Sequence, residues 1–149
     1  MGIGVELEPG GSLLTSLQPF LDASAAGHRG VAVVRESPER IRAHAGGRPI
    51  EVYWLTNFGR GPTVRPGDLD GLGAFLRKSL EEEHVTVFFL EGLEYLIRLH
   101  GVGRVLGLLT EFDARLREKD ARAWVHLTPD LLSPSDFDQI RAAFGGPSS

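Results

Sequence analysis

The stretch Val-Thr-Val-Phe-Phe-Leu-Glu-Gly, residues 85–92, is β-branched or apolar through its first six positions and closes on an acid and a glycine. A strand with apolar side chains on both faces needs cover on both faces, which is the position of a central strand in a parallel sheet layered by helices. The chain passes directly into a helical pattern, so that FFLEGLEYLI (residues 88–97) is laid out as strand, turn and helix.

Four further short runs flank this one: Ile3 to Leu7, Val31 to Val34, Ile50 to Leu55 and Ala123 to Leu127. In the last, Trp124 and His126 alternate with Val125 and Leu127, so one face is less apolar or looks into a cleft. Helix-length segments with their own start signals separate the runs. Ser37-Pro38-Glu39 supplies an N-cap, an N1 proline and an acidic first turn, with Gly46 or Gly47 as the stop. Asp68 caps a helix on which Leu69, Leu72, Leu76 and Leu80 form one stripe. Val105, Leu106, Leu109 and Phe112 mark a second buried stripe, and Ser133-Pro134 with Asp136 opens a last helix carrying Phe137, Ile140 and Phe144. Pro19 interrupts the segment Leu13 to Ala26, which predicts a kink or a separate first turn there. Alternation of strand and helix predicts a three-layer α/β fold: a five-stranded, mostly parallel sheet with helices on both faces.

Composition narrows the function classes. At 149 residues the chain fits one domain spanning residues 1–149. A net charge of −4, with 7 basic and 8 acidic side chains in residues 1–75 and 9 and 12 in residues 76–149, argues against a phosphate backbone or an anionic membrane as partner. The absence of cysteine removes disulfides, thiolate metal sites and cysteine nucleophiles. Without a signal-like N-terminus or a long apolar span, a cytoplasmic location is expected. The five histidines have no i, i+4 pairing, and no metal or cofactor is expected. No G-x-S-x-G elbow supports a serine hydrolase.

The run GVAVVRESPERIRAHAG, then IEVYWLT, then VTVFFLEGLEYLI, with WVHLTPDLL after the next helix, resembles the middle of a RecA-like ATPase of the KaiC-like branch. More closely it is similar to an archaeal family of uncharacterised domains, domain of unknown function 835, over about Gly30 to Leu132. The resemblance implies a sheet order of 3-2-4-5-1 by run number, all parallel, and a domain found alone or attached to signalling modules. It also permits a residue-by-residue comparison. A P-loop needs a Lys after its glycines to neutralise phosphate. At that position the chain reads ELEPGGSLL, with no basic residue before Arg29 and with Glu6 and Glu8 nearby. Glu91 matches the place of the Mg²⁺-side carboxylate and Glu36 that of the general-base glutamate. Without a phosphate cradle, both are expected to cap helices or complement their dipoles. Glu91 and Glu94, three apart, share a helix face and are expected to look into solvent.

The expected function is therefore a non-catalytic interaction or regulatory module that binds a protein partner or itself. Its first candidate surface is the loop Thr56 to Gly67, with Phe58, Arg60 and Arg65, since aromatics and Arg favour interface cores. The alternative is a nucleotide or small-molecule sensor, or a weak enzyme, using Glu36, Asn57, Glu91 and His126 at the carboxyl ends of the strands. Nucleic acid is not an expected partner.

Overall fold

The computed structural model describes residues 4–24, 28–59 and 61–144. In chain order the elements are β1 (Gly4–Pro9), α1 (Leu13–Ala23), β2 (Arg29–Val34), α2 (Pro38–Ala45), β3 (Ile50–Leu55), β4 (Thr63–Val64) and α3 (Leu69–Glu81). They continue with β5 (Val85–Leu90), α4 (Leu93–His100), α5 (Val102–Glu118), β6 (Arg122–Leu127), a 3₁₀ turn (Pro129–Leu131) and α6 (Pro134–Phe144).

The strands form one sheet in the order β1-β6-β5-β2-β3-β4. Every pairing is parallel. Over the five expected runs the order is the one implied by the family resemblance. The count is corrected from five to six, because the Thr56–Gly67 loop bends back and lays Thr63 and Val64 beside Trp54 and Leu55. Two residues are too few to register as an alternating pattern.

The two faces bury separate cores. Val31, Val33, Phe88, Leu90, Val125 and Leu127 meet the stripes of α3, α4 and α5. Ala32, Val34, Val87, Phe89 and Trp124 meet Leu17, Phe20 and Leu21 of α1 and Ile41 of α2. Connections toward β3 run over the α1/α2 face and those back toward β6 over the other, so the crossovers share one hand. In β5 the alternation slips: Val85 faces Arg29 and Val87 faces Gly30, leaving Thr86 as an extra residue that puts Val85 and Phe88 in the same core. Phe88 packs edge-on against Phe112 at 5.1 Å between centroids, while Phe89 meets Phe20 at 5.8 Å on the other side.

Side-chain caps open three of the six α-helices, α1, α3 and α6. The Asp68 side chain accepts the Gly71 N–H at 2.9 Å and the Ser133 hydroxyl accepts the Asp136 N–H at 3.0 Å, as expected. Ser37 makes no such bond; its own N–H donates to the Glu36 carboxylate at 3.0 Å, so the acid before it complements the start of α2. Helix α1 begins at Leu13 and runs without a break through Pro19 to Ala23. No separate first turn is present; the rest of the expected segment, Ala25 and Ala26, lies outside the described residues, as does Ile3 of the first run.

Candidate functional site

In an open parallel sheet, ligands collect where neighbouring strands send their connections to opposite faces. Here that point lies between β2, which continues into α2, and β5, which continues into α4 on the other face. Its rim is Val34-Arg35-Glu36 from β2 and Leu90-Glu91-Gly92 from β5.

The rim is tied shut by its own groups. The Glu91 N–H donates to Val33 O at 2.9 Å, extending the ladder one residue. The Glu91 carboxylate turns back and accepts the N–H of Arg35 at 2.7 Å and of Glu36 at 3.1 Å through one oxygen. Two adjacent amides aimed at one point make an anion-binding nest, and in this chain the anion is Glu91. Glu36 is engaged elsewhere: one oxygen accepts the Ser37 N–H and the other pairs with Arg40 at 2.8 Å.

Arg35 forms a roof over the crevice. Its guanidinium lies 3.7 Å from the centroid of Tyr95, a cation–π stack, and its carbonyl accepts the Trp54 indole N–H at 3.2 Å. Close approach of the Arg35 stem requires Gly92. This residue has φ of 106°, and a Cβ there would sit 2.8 Å from Arg35 Cγ. Behind Glu91 a void of about 20 Å³, walled by Val33, Leu55, Leu72, Leu90 and Leu96 among others, is the size of a single water and apolar.

The remaining sensor residues do not join this cluster. His126 is 6% exposed on the α1 face, its Nδ1 sharing a 2.7 Å hydrogen bond with the buried Ser16 hydroxyl. Asn57 is exposed in the loop after β3. Glu36 and Glu91 are neighbours through backbone amides, while Asn57 and His126 make no hydrogen bond to either: the β5–β6 register brings His126 level with Glu91, but its ring is spent on Ser16. Glu94 departs from expectation: it is 8% exposed, not solvent-facing, and accepts the Thr128 N–H at 2.5 Å, fastening α4 to the chain after β6. Burial follows from the first turn of α4 lying over the end of β6.

The turn after β1, where a P-loop would lie, has Gly10 and Gly11 at φ of 78° and 68° and Ser12 capping α1 through the Thr15 N–H at 3.1 Å. Glu6 and Glu8 alternate on one side of β1. Burial chiefly, and then the charge of Glu6, raise the Glu8 pKa above its ordinary 4.5, opposed by Arg122, which pairs with Glu6. The chemistry of this corner is that of a site disfavouring further negative charge. Among the described residues no group of three or more His, Cys, Asp or Glu is arranged to hold a metal ion. No helix of the described residues is long and apolar enough to cross a membrane.

What is open at this edge lies one strand further out. A cleft of about 300 Å³ runs between α2 (Pro38 and Glu39 of its first turn, Arg42 of its last) and Trp54, Phe58 and Pro62. Phe58 is 92% exposed at its lip. Gly59 lets the loop cross the indole, since a Cβ there would lie 2.7 Å from Trp54 Cε3. Of the loop residues singled out by composition, Phe58 lines the cleft, Arg65 is exposed in the segment after β4, and Arg60 lies outside the described residues. Trp54, Pro38 and Arg42 line the cleft without having been expected as site residues. The alternation of Ile50, Val52 and Trp54 on one face of β3 was the available signal, as it places the indole on the side covered by α2.

Among curated proteins no match to the chain is found. One family model, described as protein of unknown function (DUF835), matches residues 15–144, from the first turn of α1 to the last residue of α6. The chain thus belongs to the DUF835 family of proteins of unknown function.

Proposed function

We propose that this domain is a non-catalytic interaction module, related in layout to RecA-like ATPases, and that it docks a protein segment in the Trp54–Phe58 cleft. One observation carries the proposal: the Glu91 carboxylate occupies the amide nest at the switch point, while the adjacent cleft leaves an aromatic side chain almost fully in solvent. A nucleotide phosphate at the nest would have to displace a tethered carboxylate held by two charge-assisted bonds, and no lysine accompanies it. The cleft offers an exposed Phe, an indole, two prolines, one Glu and one Arg, which suit an extended segment with an apolar anchor. Burying Phe58 in such a contact is worth about 2 kcal/mol.

Two experiments test this reading. A phage-displayed peptide library panned on the immobilised domain is expected to enrich segments with an aromatic or proline anchor. Their binding is expected to be lost in Phe58→Ala, with the melting temperature unchanged. Thermal unfolding with and without Mg-ATP, Mg-ADP, GTP or cyclic dinucleotides is expected to show no shift. A ligand at about a hundred times its Kd would add ~2.7 kcal/mol, so a nucleotide shift abolished in Glu36→Gln or Glu91→Gln would replace the proposal with the sensor reading. Retention of peptide binding by Phe58→Ala would move the docking surface elsewhere.

A further inference from the structure

On the layer of helices that includes α3, α4 and α5, α3 and α5 lie side by side and run in the same direction. Gly73 faces Leu108, and Arg77 meets Glu111 at 3.5 Å, so contacts advance together along both helices. Between them is an open groove of about 310 Å³. Its two banks have one spacing with opposite charge. On α3 the order is Asp70, Gly73, Arg77; on α5 it is Arg104, Gly107, Glu111. An interval of seven residues is close to two turns, or about 10 Å, so each bank presents one charge at either end and a glycine between.

Neither glycine is required by the isolated chain. A Cβ on Gly107 would meet nothing within 4 Å, and one on Gly73 would make ordinary contacts at 3.6 Å. Glycine inside a helix weakens it, so two such residues at the centre of one groove fit a place where another backbone comes close. The charges indicate which surface that is. The corners alternate, with Asp70 beside Arg104 and Arg77 beside Glu111. A two-fold rotation about an axis in the plane of the groove and across the helices brings Asp70 over Arg77 of a second copy and Arg104 over its Glu111. An in-plane axis along the helices brings Asp70 over Arg104 and Arg77 over Glu111. The pattern is complementary to itself under both operations, as an isologous contact demands.

We infer that the α3/α5 groove is a self-association surface whose occupant is the same groove of a second copy of this chain. The inference does not rest on the Trp54–Phe58 cleft, which lies beside α2. The exposed intrachain pairs Arg77–Glu111 and Glu111–Arg115 remain available and acquire a second partner across the axis.

Sedimentation equilibrium over about 10 µM to about 500 µM is the test, a range that reaches weak homodimers. The wild-type chain is expected to pass from monomer to dimer, and less completely at high salt, which screens exposed charges. Asp70→Arg is expected to weaken association roughly tenfold or more, because symmetry repeats the like-charge contact. Gly107→Trp is expected to abolish association while the monomer melts as before. One of two charge swaps should restore it: Asp70→Arg with Arg77→Asp for the axis across the helices, or Asp70→Arg with Arg104→Asp for the axis along them. A wild-type chain that stays monomeric throughout overturns the inference. So does a dimer indifferent to Asp70→Arg and Gly107→Trp, or one that neither swap restores.

Discussion

The Glu91 carboxylate, one residue past the end of β5, accepts the backbone N–H of Arg35, one residue past the end of β2, at 2.7 Å. That bond joins the two strands whose connections diverge to opposite faces, and it closes the crevice where an open α/β sheet otherwise receives its ligand.

Replacing Glu91 by Ala leaves two amides, those of Arg35 and Glu36, without their acceptor. The expected loss is about 1–3 kcal/mol in urea denaturation, with Glu91→Gln losing less because an amide oxygen still accepts. The emptied nest should also make the Ala variant gain more stability from added phosphate than the wild-type chain does. Equal gains would show that the nest collapses when Glu91 is removed.

Gly92 stands at φ of 106° under the stem of Arg35. Gly92→Ala therefore adds left-handed strain of about 1–2 kcal/mol to a steric conflict, and thermal unfolding should show both as a lower melting temperature. In combination with Arg35→Ala the steric part should disappear and the strain should persist. A full recovery in the double variant would mean that the backbone conformation there costs nothing.

Ser16→Ala removes the partner of a buried imidazole nitrogen, His126 Nδ1. A loss of about 1–3 kcal/mol is expected from the unsatisfied polar group. Ser16→Thr retains the hydroxyl and should lose less, provided the extra methyl is accommodated against β6. Chemical denaturation of the two variants side by side decides the matter.

Glu8 has its pKa raised above 4.5 in the folded chain, first by burial and then by Glu6. The folded state therefore holds this proton more firmly than the unfolded state does. The sign follows from linkage: the Glu8 contribution is fully present below its ordinary pKa and is lost as the pH rises through the folded value. Glu8→Gln should accordingly raise the melting temperature at neutral pH, and the difference from wild type should vanish under acid conditions. A variant less stable than wild type at neutral pH would show that the Glu8 charge is instead supported by Arg122.

Much of this domain was fixed by residue order alone. The run VTVFFL could be central only with helices on both faces, and the stripe of Leu69, Leu72, Leu76 and Leu80 could bury only one side of a helix. Periodicity and caps are local properties, and they placed α2, α3, α5 and α6 and the five longer strands to within a few residues. Strand order is not local; it came from likeness to a family, because the same pattern is compatible with several windings of the sheet. The two-residue β4 left no periodic trace. Tertiary structure alone decided the roles of the acids. Glu36, Glu91 and Glu94 read alike along the chain, yet one complements the start of α2, one fills the nest between β2 and β5, and one is buried against Thr128. The physical reason is that a carboxylate's function is set by which donors the fold brings within about 3 Å of it, and those donors lie up to 56 residues away in the chain.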